Sequence, residues 1–112
     1  MPLFMSTFGY KPEVWAGLVK SPENREQAVR GILESAGCKL HGLWYAFGES
    51  DGFALIEAPS DETAAGIAIA IAASGAFRKF ETTPVLTQDQ LLEALQTAAD
   101  VRYVAPAEQV HA

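Results

Sequence analysis

The stretch Leu43–Asp61 reads LWYAFGESDGFALIEAPSD, and the fold prediction starts from it. Apolar and aromatic residues fill two arms on either side of Gly48–Gly52. The glycines of that segment allow positive φ, and its Ser and Asp can bond nearby backbone, so the pattern predicts two strands joined by a tight turn. Pro59 and Ser60 then end the second strand and cap a helix. The stretch therefore predicts a strand, a turn, a strand and a helix start, and it points to no reaction.

Outward from this stretch, hydrophobic spacing and capping residues predict the remaining elements. The predicted strands are Leu3–Tyr10, Lys39–Phe47, Gly52–Ala58 and Phe77–Leu86. The first predicted helical segment, 11–36, consists of a short piece and a longer piece, and Ser21 caps the longer one. Two further helices are predicted, one at Asp61–Ser74 and one that follows Thr87. Gly37 and Gly75 are placed where left-handed residues end helices.

The order β-α-β-β-α-β predicts an α+β fold, a ferredoxin-like sandwich with a four-stranded antiparallel sheet and two helices on one of its faces. An extra C-terminal helix and a short extended tail follow. Residues 1–100 are expected to form one domain, a common size for a domain. Residues 101–112 are expected to form a tail, with a short strand at Val101–Ala105 and a frayed end.

The predicted sheet carries bulky apolar side chains on both faces. A reversal built on Gly48–Asp51 pairs Phe47 with Gly52 and puts His41 and Tyr45 on one face. The other face carries Trp44, Phe53, Leu55 and Glu57, whereas a sheet with one solvated face should alternate more cleanly. Exposed apolar area of this kind marks an interface or a ligand groove. We therefore expect a homodimer or higher homo-oligomer formed through the open sheet face, with room for a small apolar ligand between the paired sheets.

The amino-acid composition and net charge argue against several classes of function. The 112 residues include 14 acidic and 8 scattered basic ones, for a net charge of −6, which argues against nucleic-acid binding. The longest apolar stretch, Ala64–Ala73, is half of the ~20 residues that a membrane span needs. No basic N-terminal segment precedes a hydrophobic run, so a cytoplasmic protein is expected. The single cysteine, Cys38, is predicted to be a small core residue, and neither a metal site nor a cofactor is expected.

Few residues offer chemistry. His41 is a candidate general base or metal ligand, although a lone strand histidine is more often a hydrogen-bonding residue. Glu57 is a candidate acid or base if it is buried on the open sheet face, and otherwise it caps the next helix or pairs with an arginine. Trp44, Tyr45 and Phe53 are candidate walls of a ligand pocket, with Trp44 and Tyr45 on opposite faces of their strand.

Several short motifs, taken in order, resemble the GYD domain family, small bacterial proteins usually grouped with the dimeric α/β-barrel proteins. The motifs are Met1-Pro2, Ser21-Pro22-Glu23 with Arg25, Ala28-Val29-Arg30, Trp44-Tyr45, Gly48-Glu49-Ser50-Asp51, Glu57-Ala58-Pro59-Ser60-Asp61 and Leu86-Thr87. The family is named for a Gly-Tyr-Asp turn, and here Ser50 stands where the tyrosine would be. The resemblance implies the fold and a dimeric or larger assembly, and it assigns no catalytic residue.

Three functions fit these observations. The first is a small oligomeric domain of unassigned function that binds a small apolar or aromatic molecule between paired sheets. The second is a cofactor-free oxygenase, isomerase or cyclase of the dimeric α/β-barrel type, because such sites need few polar groups in an apolar cavity. The third is a regulatory module whose assembly responds to a metabolite.

Overall fold

The computed structural model describes residues 1–107, and within that range the chain forms four strands and four helices. The strands are Leu3–Tyr10 (β1), Lys39–Tyr45 (β2), Gly52–Glu57 (β3) and Phe77–Val85 (β4). The helices are Pro12–Lys20 (α1), Arg25–Ser35 (α2), Asp61–Ala73 (α3) and Gln88–Asp100 (α4). No helix among the described residues is both long enough and apolar enough to cross a membrane.

The four strands form one antiparallel sheet in the order β2-β3-β1-β4. This order and the packing of α2 and α3 against one face confirm the predicted α+β, ferredoxin-like fold. β4 lies at an edge of the sheet, which suits Pro84 because proline has no N–H to donate to a strand partner.

Local signals set most helix ends as predicted. The Ser60 hydroxyl accepts a hydrogen bond from the Thr63 N–H at 3.1 Å and caps α3, and Thr87 begins α4 with a capping box. Gly37 and Gly75 adopt φ of 76° and 79° after α2 and α3.

The predicted cap of α2 is wrong. The backbone N–H of Ser21 donates to the carbonyl of Gly17 and so belongs to the end of α1. Asn24 begins α2 instead, because its side-chain oxygen accepts from the Gln27 N–H at 3.2 Å.

The hairpin between β2 and β3 differs from the predicted tight turn. β2 ends at Tyr45, which pairs with Gly52, so six residues, 46–51, form the connection. Neither Gly48 nor Gly52 adopts positive φ. The connection is shaped by Asp51, whose N–H donates to the Phe8 carbonyl on β1 and whose carbonyl accepts from Ala46. Tyr45 rather than Phe47 thus pairs with Gly52, and this shift of two residues keeps the side chains of 43–45 and of β3 on their predicted faces.

The core lies between the sheet and the helices α2 and α3. Leu33 and Leu40 are its two largest fully buried side chains, and Cys38 is buried with them, as predicted. Burial also raises the pKa of the Cys38 thiol. The other buried members of this cluster are Phe4, Ala54, Ile56, Ala58 and Ala64.

The C-terminal part of the chain is not packed on this core. α4 has no buried residue, and its leucines, Leu91, Leu92 and Leu95, are exposed. The strand predicted at Val101–Ala105 does not form: residues 101–106 are neither helix nor strand, and the Val101 N–H donates back to the last turn of α4. The rest of the predicted frayed end, residues 108–112, lies outside the described residues.

Candidate functional site

A cavity of about 670 Å³ opens between α1, α2, the C-terminal half of α3 and the end of the sheet. We call it the helix-side cavity. Its walls are mainly aliphatic and aromatic, and its charged groups are a single acid and a single base, Glu23 and Arg25. The lining residues are Tyr10, Val14, Gly17, Leu18, Ser21, Glu23, Arg25, Val29, Ile32, Leu33, Ala70, Ile71, Ser74, Ala76 and Phe77. A smaller space of about 60 Å³ shares Tyr10, Arg25 and Phe77 with it and reaches Ser6 and Phe80 on the sheet.

Three polar residues that line the helix-side cavity, Tyr10, Glu23 and Arg25, lie together where β1 meets the start of α2, and we call this its polar end. Ser21 and Ser74 also line the cavity, whereas Tyr45 contacts Tyr10 without being a lining residue. The Tyr10 and Tyr45 hydroxyl oxygens are 3.2 Å apart and share a hydrogen bond. Arg25 Nη1 donates to Glu23 Oε1 at 2.7 Å. This hydrogen bond is the main reason that the pKa of Arg25 is raised, while desolvation works against it. Desolvation, followed by the hydrogen bond with Tyr10, raises the pKa of Tyr45, so its phenol stays protonated at neutral pH.

An aromatic cluster forms the floor of this end. The Tyr10 ring centroid lies 5.2 Å from those of Trp15 and Phe77, and the Phe8 ring meets Phe77 edge-on at 5.8 Å. Aromatic pairs at these distances stabilise by about 0.5–1.5 kcal/mol each beyond the area they bury. The cluster therefore holds Tyr10 in place, and Trp15 ties α1, which has no fully buried residue, to the sheet.

Asp51, in the β2–β3 connection, contacts residues at the polar end of the cavity. Its Oδ2 accepts hydrogen bonds from the Tyr10 N–H at 2.8 Å and from Trp15 Nε1 at 3.2 Å, and its Oδ1 lies 3.4 Å from Arg78 Nη2. Desolvation alone would raise the pKa of Asp51, but these two hydrogen bonds and the Arg78 charge outweigh it, and the net pKa is lowered. The sequence predicts Asp51 only as a turn residue, whereas here it links the connection, β1 and α1.

The acid–base candidates lie on the other face of the sheet, opposite to the face on which α2 and α3 pack. His41 Nε2 and Glu57 Oε1 are 2.9 Å apart, and both side chains are about 30% exposed. Our predicted register puts these two side chains on opposite faces, which is wrong. A bulge between Leu40 and Gly42 turns His41 onto the face of Glu57. Glu57 thus pairs with a histidine rather than with an arginine, and neither residue lines the helix-side cavity.

The three predicted pocket residues are divided between the two faces. Trp44 pairs with Phe53 on the open face, where both rings are exposed and the Trp44 ring covers Gly42. Tyr45 points to the helix side and joins Tyr10. Among residues 1–107, no three His, Cys, Asp or Glu side chains lie close enough together to hold a metal ion.

Sequence reasoning does not single out Tyr10, Glu23 or Arg25 as site residues. Tyr10 reads as the end of an apolar strand, and Glu23 and Arg25 read as the acidic first turn of a helix and a scattered base. The only sequence signal at this position is the Ser21-Pro22-Glu23 motif with Arg25, which carries part of the family resemblance. The meeting of these residues comes from the packing of α2 beside β1.

Comparison with known proteins agrees with the fold and the motifs. The model of the GYD domain family matches residues 4–95, from β1 into α4. No curated protein and no solved structure matches the chain. Since the family match covers well over half of the 112 residues, the chain belongs to the GYD domain family.

Proposed function

We propose that this domain binds a small, mainly apolar or aromatic molecule in the helix-side cavity. The observation that carries the proposal is the cavity itself: about 670 Å³ with mainly apolar walls and one charged pair, Glu23 and Arg25. Small-molecule sites in proteins have this size and this division of apolar wall and few polar groups. The site lies on the helix side of the sheet, whereas the sequence-based expectation placed the ligand between paired sheets.

Binding suits this cavity better than the alternative of a cofactor-free oxygenase, isomerase or cyclase. The residues proposed from sequence for proton transfer, His41 and Glu57, are on the opposite face of the sheet. Tyr45, whose raised pKa keeps its proton in place at neutral pH, can donate a hydrogen bond but is a poor base. A regulatory module that responds to a metabolite would use the same cavity as its sensor.

Filling the cavity is expected to abolish binding. N-phenyl-1-naphthylamine, a neutral probe whose fluorescence rises in apolar surroundings, should bind the wild-type protein and lose at least about tenfold in affinity in Gly17→Phe. Gly17 lines the cavity, and a Cβ there meets nothing within 4 Å, so the new ring can enter the space. Fluorescence titration measures the change.

Gly31→Phe is the matched control. Gly31 is also a helical glycine whose Cβ would meet nothing within 4 Å, but it lies outside the cavity walls. Both variants gain helix propensity, so only occupation of the cavity separates them. Equal probe affinity in the two variants, or no saturable binding to the wild-type protein, would rule out this cavity as the binding site.

We also propose that a second copy of the chain covers the open sheet face. Trp44 is 54% and Phe53 37% exposed there, beside Met5 and Leu55. Trp44→Glu, which places a charge on this face, is expected to shift the protein from a dimer or larger assembly to a monomer in native mass spectrometry. Val19→Glu, at an 81% exposed position on α1, should leave the assembly unchanged. A monomeric wild-type protein would contradict this proposal.

A further inference from the structure

Arg25 brings hydrogen-bond donors to the polar end of the helix-side cavity. A guanidinium carries five N–H donors, and the Arg25–Glu23 ion pair joins Nη1 to a single carboxylate oxygen. Tyr10 lines the same end, and its hydroxyl shares a hydrogen bond with that of Tyr45, which is not among the lining residues. The remaining N–H donors of Arg25 can therefore bind an acceptor group of a ligand.

Arg25 is placed to reach a ligand from either part of the cavity. It lines both the large space and the smaller one behind it, and its side chain is 35% exposed. Planar guanidinium groups bind carboxylates through two parallel hydrogen bonds, a geometry that lysine cannot reproduce. Among residues 1–107, Arg25 and Glu23 are the only charged residues that line the large space, so an anionic ligand group would bind at Arg25.

Glu23 affects how strongly Arg25 can bind a ligand anion. Its carboxylate sits 2.7 Å from Arg25 Nη1 and occupies part of the guanidinium as a ligand carboxylate would. The whole protein carries a net charge of −6, so its overall electrostatic potential repels anions. A preference for an anionic ligand therefore has to come from the local contact with Arg25. A ligand carboxylate would either displace Glu23 from Arg25 or bind the same guanidinium group beside it.

We propose that the ligand of the helix-side cavity is an amphipathic acid, with an apolar or aromatic body against the walls and a carboxylate on Arg25. This inference rests on the proposed function, since it names the ligand class of the same cavity. It assigns Arg25 as the specificity-determining residue and Glu23 as its built-in competitor.

The test compares 2-naphthoate with 2-naphthamide, which have the same ring and nearly the same shape but differ in charge. Isothermal titration calorimetry at pH 7 should show the acid binding the wild-type protein about tenfold or more tightly than the amide. Arg25→Gln should remove that preference and leave amide binding unchanged. Glu23→Gln should strengthen binding of the acid several-fold, because the competing carboxylate is gone, and again leave the amide unchanged.

Lys20→Gln is the control for charge alone, since it removes one positive charge on α1 from a residue that does not line the cavity. A loss of acid binding in Lys20→Gln equal to that in Arg25→Gln would overturn the assignment of Arg25. Equal wild-type affinities for acid and amide, or binding of N-phenyl-1-naphthylamine without either naphthalene probe, would overturn the acid preference and leave the cavity as a binding site. If none of the three probes bound, the proposed function would fail, and this inference with it.

Discussion

Gly52→Ala is expected to lower the free energy of unfolding by about 2 to 3 kcal/mol. A Cβ at this position would lie 2.3 Å from Phe8 Cζ and 2.8 Å from the Trp44 carbonyl oxygen. Phe8 is 4% exposed and is packed between Tyr10 and Phe77, so its ring has little room to retreat. The carbonyl belongs to the backbone of β2 and can move only with the strand. Urea unfolding followed by circular dichroism measures the loss.

Gly66→Ala serves as the comparison because it makes the same chemical change in a different place. Gly66 lies within α3, and a Cβ there meets nothing within 4 Å. Alanine should stabilise the helix there and raise the free energy of unfolding by about 0.5 to 1 kcal/mol. The two substitutions are therefore expected to have opposite signs. A Gly52→Ala protein as stable as the wild type would show that the Phe8 ring does not lie over Gly52.

Asp51→Ala is expected to cost about 2 to 3 kcal/mol of stability. It removes the acceptor of the N–H of Tyr10, a residue only 6% exposed, and of the Trp15 indole N–H. A buried donor left without a partner costs most of its desolvation penalty. Glu49→Ala removes an acid from the same connection, but Glu49 is 92% exposed, so its effect should stay within about 0.5 kcal/mol. Urea unfolding at pH 7 compares the two variants, and equal losses would contradict this role of Asp51.

The stability lost in Asp51→Ala should also depend on pH. The pKa of Asp51 is lower in the folded protein than its ordinary value, so the folded state holds the charged form more firmly than the unfolded state does. The charged contribution is fully present above the ordinary aspartate pKa of about 3.9 and is lost as the pH falls through the lower, folded value. The difference in unfolding free energy between wild type and variant should thus be flat from neutral pH to about 5 and shrink in stronger acid. A difference that grew in acid would mean that the contacts of Asp51 raise its pKa.

Structural features that depend only on residues close together in the chain could be predicted from sequence. The caps at Ser60 and Thr87 and the left-handed residues Gly37 and Gly75 involve partners within a few positions, and all four are present. The faces of β3 and of residues 43–45 on β2 were also predictable, because alternation has a period of two and a register shift of two leaves it unchanged. The connection at 46–51 was not, since the Asp51 N–H bonds to a carbonyl on β1, 43 positions away in sequence.

The candidate site was harder to predict for the same reason. Tyr10, Arg25 and Tyr45 come from a strand, a helix start and a second strand, and no periodicity joins them. His41 and Glu57 were each visible as polar residues in apolar strands, but their contact depends on a bulge that the hydrophobic pattern does not signal. Residue type therefore indicated which side chains could act, and tertiary packing decided which of them meet.

Helix α4 forms in this chain without being packed on the core. Its 13 residues satisfy their own backbone hydrogen bonds and carry a full N-terminal cap, yet bury no side chain. A helix of this length is marginal on its own in water, so its helix–coil equilibrium is set by whatever covers its leucines. The packed part of a single chain thus ends near Val85, and the last helix gains no stability from burial in the core.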